Sequence, residues 1–310
     1  AFLENGEITD GVSVASKAAQ MHCRVIVPVL IDRSDEFSGT PGLRMTNQPH
    51  REFIYRTGYE LGRHIIGYEV QKVLSAVDWF AEKNPELPIG IMGYGEGGLI
   101  ALYSAAVDTR IGAAMVSGYF QPREHMWSEP IYRNVWGLLH EFGDAEIASL
   151  IAPRPLFIET NDKPLVAGPP EPHDGRDGAA PGAITPPDVN AVSAEIKRAT
   201  QLVSWMSPPP MIEQFEGLSG NHLRSFAHVR LLQSIGVDPV TSSALLLQLA
   251  LPKTDPHDRM KRQVQQLVDD TQYLMHQAEF RRKEFWSKAD ASSPEAWAKS
   301  VEWYRAYFNE

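Results

Sequence analysis

Nine residues constrain this chain more than any others: Ile91-Met92-Gly93-Tyr94-Gly95-Glu96-Gly97-Gly98-Leu99. The apolar run Ile89-Gly90-Ile91-Met92 enters this turn as a strand, and a helix over Leu99 to Val107 leaves it. Glycine adopts positive φ and permits close backbone approach, so the stretch reads as a tight strand–turn–helix junction. In α/β proteins, ligands gather at such carboxyl ends of strands.

The surrounding pattern agrees with an α/β class. Residues 1–240 alternate strand-like and helix-like stretches, which predicts a mostly parallel sheet flanked by helices. Strands are expected at Arg24–Leu30, a β-branched run suited to burial on both faces, then at 89–92, 111–116, 156–158 and 211–215. A short helix is expected over Gly11–Met21. Between Asp32 and about Arg56 lies a polar excursion, after which Ile65, Ile66, Val70, Val73, Leu74, Val77 and Phe80 recur at helical spacing. Asp144 is a candidate cap for a helix over Ala145–Ile151, and Leu223–Ile235 reads as a further helix. An insertion at about 119–142 carries Tyr119, Phe120, Trp127, Tyr132 and Trp136, and a Pro/Gly-rich stretch at about 163–187 reads as a long exposed loop. Residues 241–310 are expected to be a helical extension or interdomain linker. In it, Met260, Val264, Leu267, Thr271, Leu274 and Ala278 stripe one helix over about Asp258–Trp286, and Ser293-Pro294 starts another.

Two turn chemistries fit the glycine junction. Gly93, Gly95 and Gly98 match a dinucleotide-binding fingerprint, which needs an acidic residue after the next strand. That strand ends in Ser117-Gly118-Tyr119, with no carboxylate before Glu124. Gly93 and Gly97 match a Gly-x-Ser-x-Gly nucleophile elbow with Gly95 at the serine position. Here the companions are in order: Asp162 follows the 156–158 strand, and His222 follows the 211–215 strand.

With these residues in place, the segment from about Arg24 to Val237 resembles the acetyl xylan esterase and dienelactone hydrolase branch of the α/β-hydrolases. The stretches that carry the resemblance are Ile66-Gly67-Tyr68-Glu69-Val70-Gln71, the elbow, and Ile147-Ala148-Ser149-Leu150-Ile151-Ala152-Pro153-Arg154-Pro155-Leu156. The resemblance implies a Ser-His-Asp esterase acting on carbohydrate esters or other small esters, with Asp162 as acid and His222 as base. It also implies relatives that are often exported, and it calls for no cofactor and no metal.

The nucleophile position, however, holds Gly95. Glycine cannot form an acyl-enzyme, and losing the nucleophile of a serine hydrolase costs on the order of 10⁶ in turnover. Glu96 is the nearest replacement, but at a helix N-terminus its carboxylate is stabilised as a charge and is a poorer nucleophile. Nor does anything before Arg24 read as a buried strand with a glycine turn. The early strands and half of the oxyanion hole are therefore expected to be missing from this chain, at a further cost of ~10²–10³. The expectation is a non-catalytic half or fragment of a larger hydrolase that packs on another domain or subunit. The alternative is an active hydrolase that uses Glu96, or a water activated by Asp162 and His222. A net charge of −10 disfavours nucleic acid and anionic membrane surfaces as partners. The single cysteine, Cys23, excludes an intramolecular disulfide.

Overall fold

A computed structural model describes residues 3–4, 7–8, 14–162, 164–217, 226–238 and 255–309. A small antiparallel pair, β1 (Leu3–Glu4) and β2 (Glu7–Ile8), precedes α1 (Val14–Gln20). A second antiparallel pair, β3 (Gly39–Thr40) and β4 (Arg44–Met45), precedes α2 (His50–Gly58) and α3 (Ile65–Lys83). The main sheet then builds in sequence order from β5 (Ile89–Tyr94), α4 (Glu96–Val107), β6 (Ile111–Ser117), α5 (Leu138–Glu141), α6 (Asp144–Ile151), β7 (Leu156–Thr160), α7 (Val189–Leu202) and β8 (Ile212–Glu216). Its strand order is β5-β6-β7-β8, all parallel. The chain ends in α8 (Phe226–Ser234), α9 (Pro256–Phe285), α10 (Pro294–Ser300) and α11 (Glu302–Asn309).

Sequence pattern and burial agree in the middle of the sheet. The runs of β6 and β7 are apolar without alternation because helices cover both faces, as parallel sheets require. On one face α3, α4, α6 and α7 build the larger core, with Leu99, Ile100, Leu102, Val116, Ile147, Ile158 and Ile196 buried together. On the other face Ala227 and Leu231 of α8 pack over Ala113, Met115 and Phe157. Helix α4 lies inside this structure, which explains why it is apolar nearly all round.

The C-terminal stripe finds its neighbour on the same domain. Met260 and Val264 of α9 join the larger core, and Tyr68 Oη donates to Asp270 at 2.6 Å. At 1.5 Å per residue, α9 is about 45 Å long. Its far end is folded over by α10 and α11, with Trp286 stacked on Tyr304 at 4.3 Å. The single second helix expected after Ser293 is two, broken at Val301.

Other expectations need correction. Arg24–Leu30 is not a strand, and Val25, Ile26 and Val27 are 38%, 42% and 46% exposed. Burial on both faces needs paired strands on either side, and among the described residues none pairs with this run. Side chains hold it instead: Lys72 Nζ donates to the Val29 carbonyl at 2.8 Å, and Arg24 donates to Asn84 at 2.7 Å. Asp144 does not cap α6 from outside. It is the first helical residue, its carboxylate turns inward to accept the Gln121 N–H, and Glu146 reaches back to the Gly143 N–H. The long loop after β7, expected to be exposed, is pinned at several points: Thr46 and Asn47 donate to the Asp177 and Pro170 carbonyls, and Glu52 accepts the Ala180 N–H.

Candidate functional site

At the end of β5, Gly95 has φ 54° and ψ −115°, a backbone state that penalises residues bearing a Cβ. Its N–H donates to the Ser117 carbonyl at the tip of β6 (2.9 Å), and its carbonyl accepts the Leu99 N–H (3.1 Å). The neighbouring glycines serve the crossing of helix over strand. A Cβ on Gly93 would sit 1.9 Å from the Gly97 carbonyl oxygen, and one on Gly98 would sit 2.9 Å from that of Ser117. The turn is thus tight and positive-φ at its apex, and the apex carries no side chain. The ring of Pro164 lies against that apex, with Cγ 3.1 Å from where a Cβ on Gly95 would be.

Glu96 turns inward from the apex. Its carboxylate takes bonds from Arg133 Nε and Nη2, both at 3.1 Å, and from Arg33 Nη2 at 2.5 Å, with Arg51 Nη2 at 3.7 Å. Burial works against its charge, but the fields of Arg133, Arg51 and Arg33 outweigh burial and hold the carboxyl well below the usual carboxylate range. A carboxylate so engaged is stabilised as a charge, which weakens it as a nucleophile.

Glu96 sits inside a row of alternating charges. Arg51 on α2 meets Glu69 on α3 in a two-pronged bond at 2.9 and 2.8 Å, each side chain 1% exposed. On the other side Arg133 also donates to Glu129 at 3.2 Å, and Glu129 takes two bonds from Arg123. Aromatic rings floor the row: Arg51 lies over Tyr132 at 5.2 Å, and Arg123 and Arg133 lie over Tyr119 at 5.0 and 5.6 Å. Arg33 is the member that reaches solvent, and its Nε donates to Tyr132 Oη at 3.0 Å. Sequence reasoning missed this row because most of its members fall in the polar excursion or the insertion. One signal was present: Glu69 stands on the apolar stripe of α3, in line with Ile65, Ile66 and Val73.

Just after the insertion, at the start of α6, a further carboxyl is buried. Asp144 is fully enclosed, accepts the Gln121 N–H at 3.1 Å and lies 3.5 Å from Tyr119 Oη. Burial raises its pKa to about 7 despite the opposing field of Arg123. Of the aromatics carried by the insertion, Tyr119, Phe120 and Tyr132 are buried in the core, whereas Trp127 and Trp136 are exposed.

Asp162 lies on the exposed turn just after β7, two residues before the proline that covers Gly95. The Gly217 N–H bonds the Thr160 carbonyl at 2.6 Å, so this turn lies beside the chain that leaves β8 toward His222. His222 itself lies outside the described residues. The structure therefore brings Gly95 and the Asp162 turn together, and separates Glu96 from them by pointing it into the arginines. At the ends of β6 and β7, Ser117 Oγ donates to the buried Glu159 carboxylate at 2.6 Å. Among the described residues no group of three His, Cys, Asp or Glu side chains is placed to hold a metal, and no helix is long and apolar enough to cross a membrane. An open groove of about 380 Å³ lies elsewhere, between the β3–β4 pair, Phe53 and Asp177-Gly178.

Four parallel strands in sequence order, flanked by helices and with a positive-φ turn between β5 and α4, make the fold α/β. The solved structures similar to this chain include a Bacteroides fragilis protein assigned as an acetyl xylan esterase, with TM-score 0.39 and 12% identity over 64% of this chain and 50% of that one. They also include the glucuronoyl esterase of Solibacter usitatus, with TM-score 0.34 and 11% identity over 56% of this chain and 49% of that one. A Pyrococcus furiosus esterase is similar with TM-score 0.30 and 14% identity over 53% and 58%. The chain thus spans about half the length of the solved structures it matches. No protein-family model and no curated protein matches the sequence.

Proposed function

We propose that this chain is a non-catalytic domain of carboxylic-ester-hydrolase descent, of the kind that acts on carbohydrate esters, and that it works packed against another domain or subunit. The supporting observation is the state of the turn: Gly95 offers no nucleophile, and the Pro164 ring lies 3.1 Å from where its side chain would begin. Glu96, the neighbour that could substitute, is bonded to two arginines and faces away from the Asp162 turn. In this reading Asp162 and His222 are remnants of a Ser-His-Asp set, and any ester is held rather than cleaved.

The test is turnover of a simple acetyl ester together with labelling by a fluorophosphonate probe. Neither should exceed the level of heat-denatured protein. Turnover above that level, abolished by His222→Ala or by Glu96→Gln in a variant shown to remain folded, would overturn the reading in favour of an active hydrolase using Glu96 or an activated water.

A further inference from the structure

Three histidines converge on one six-residue segment, Asp32–Phe37, and they are bonded in different ways. His50, on α2, accepts the Phe37 N–H at Nε2 (2.9 Å), so its single ring proton sits on Nδ1, which faces Asp32 at 2.7 Å. That arrangement is complete with one ring proton. His173, at the tip of the loop after β7, is different. Its Nε2 lies 2.7 Å from Asp35 Oδ2, and its Nδ1 lies 3.2 Å from Asp174 Oδ2. Ionised carboxylates only accept, so both contacts are hydrogen bonds only when both ring nitrogens carry protons. His257, in the first turn of α9, places Nε2 2.8 Å from Glu36 Oε1 and Nδ1 3.7 Å from Asp258 Oδ1.

The two exposed rings fasten elements that are far apart in sequence. His173 and Arg176 bridge each other to close the loop tip, and Arg176 also donates to the Asp35 carbonyl at 3.0 Å. His257 meets the Phe37 ring edge-on at 5.1 Å, while the other side of Phe37 stacks on His50 at 5.2 Å. We propose that Asp32–Phe37 is a proton-operated clasp, which holds the 172–177 loop tip and the first turn of α9 when His173 and His257 are protonated and loosens when they are neutral.

The groups facing His173 are Asp35 and Asp174, with the Arg176 guanidinium bound to the same segment; those facing His257 are Glu36, Asp258 and Asp255. Hydrogen bonding to these carboxylates raises both imidazole pKa values above the usual histidine range. A raised histidine pKa means that the fastening is fully present in acid and is lost as pH rises through the raised value. Loosening is confined to the two ends named. Other anchors of the loop, among them those from Thr46, Asn47 and Glu52, involve neither histidine.

The test is amide hydrogen exchange on the full chain between pH 5.5 and 8.5, corrected for intrinsic base catalysis, with the two ring titrations followed by NMR. Protection of the Arg176 and Arg259 amides, which donate to the His173 and Asp255 carbonyls, should fall about two- to fivefold as pH rises, the range expected of exposed ion pairs. The Val192 amide in α7 should not respond. His173→Gln with His257→Gln should remove the pH dependence at both places, and Asp174→Asn should lower the His173 pKa while leaving His257 unchanged. Protection that stays level across the range, a dependence that persists in the double variant, or rings that titrate at or below ordinary histidine would overturn the proposal.

Discussion

The guanidinium of Arg133 closes on the Glu96 carboxylate through two bonds of 3.1 Å, Nε to one oxygen and Nη2 to the other. Both groups are buried, so neither can fall back on water if its partner is removed. Glu96→Gln should destabilise the chain by about 3–5 kcal/mol, the cost of leaving a buried ion uncompensated, read as the shift in a urea unfolding curve at pH 7. Because its pKa in the folded chain is depressed, Glu96 contributes stability above its unfolded value of about 4.3. That contribution drains away as pH falls toward the folded value, so the gap between wild type and variant should narrow below about pH 4. A gap independent of pH would show that the side chain acts by shape alone.

The elbow makes a second prediction, about backbone strain. Gly95→Ala places a Cβ on a residue with φ 54° and against the Pro164 ring. The backbone term is about 1–3 kcal/mol, and the contact with Pro164 adds to it. In a double-mutant cycle with Pro164→Gly, the Gly95→Ala penalty should therefore shrink but not vanish. Full relief would mean that the strain is steric only, and no relief would mean that the proline yields freely.

Gly93 is less tolerant. A Cβ there would meet the Gly97 carbonyl, which belongs to the first turn of α4 and cannot rotate aside as a side chain would. Gly93→Ala should fail to give a cooperative unfolding transition, whereas Gly97→Ala, with nothing within 4 Å, should fold with nearly unchanged stability. If both variants behaved alike, the strand–helix crossing would not be the reason for these glycines.

Much of the architecture was legible because it is written in apolar periodicity. The four sheet strands, α3, α4, α6, α8 and α9 stand where runs and stripes placed them, and the glycine run announced the tight turn between β5 and α4. What stayed hidden is polar and buried. Helix α2 buries His50, Arg51 and Glu52, three residues that sequence patterning assigns to solvent, and their partners include Asp32, Glu69 and Ala180, 18 to 128 positions away. Helix α7 also went unread, because its inner face includes Glu195, bonded to the Ala145 N–H and to Arg198. In the opposite direction, Val25-Ile26-Val27 looked like a core strand, but a β-branched run becomes one only where strands pair with it. Charge pairing and strand pairing are both non-local, so neither leaves a periodic trace.

Asp144 tests the buried polar interior most directly. Its pKa of about 7 in the folded chain lies well above the value near 3.9 of an unfolded aspartate. Between those values the folded chain holds a proton that the unfolded chain has lost, so this residue makes stability fall as pH rises from about 4 to about 7 and contributes no further slope above that. Asp144→Asn keeps an acceptor for the Gln121 N–H and can donate to Tyr119 Oη, yet never has to bury a charge. The variant should therefore be more stable than wild type at pH 8, by an amount on the order of 1–3 kcal/mol, and close to it at pH 4.5. Thermal unfolding at the two pH values checks the sign. A variant weaker than wild type at pH 8 would mean that the Arg123 field, rather than burial, governs this carboxyl.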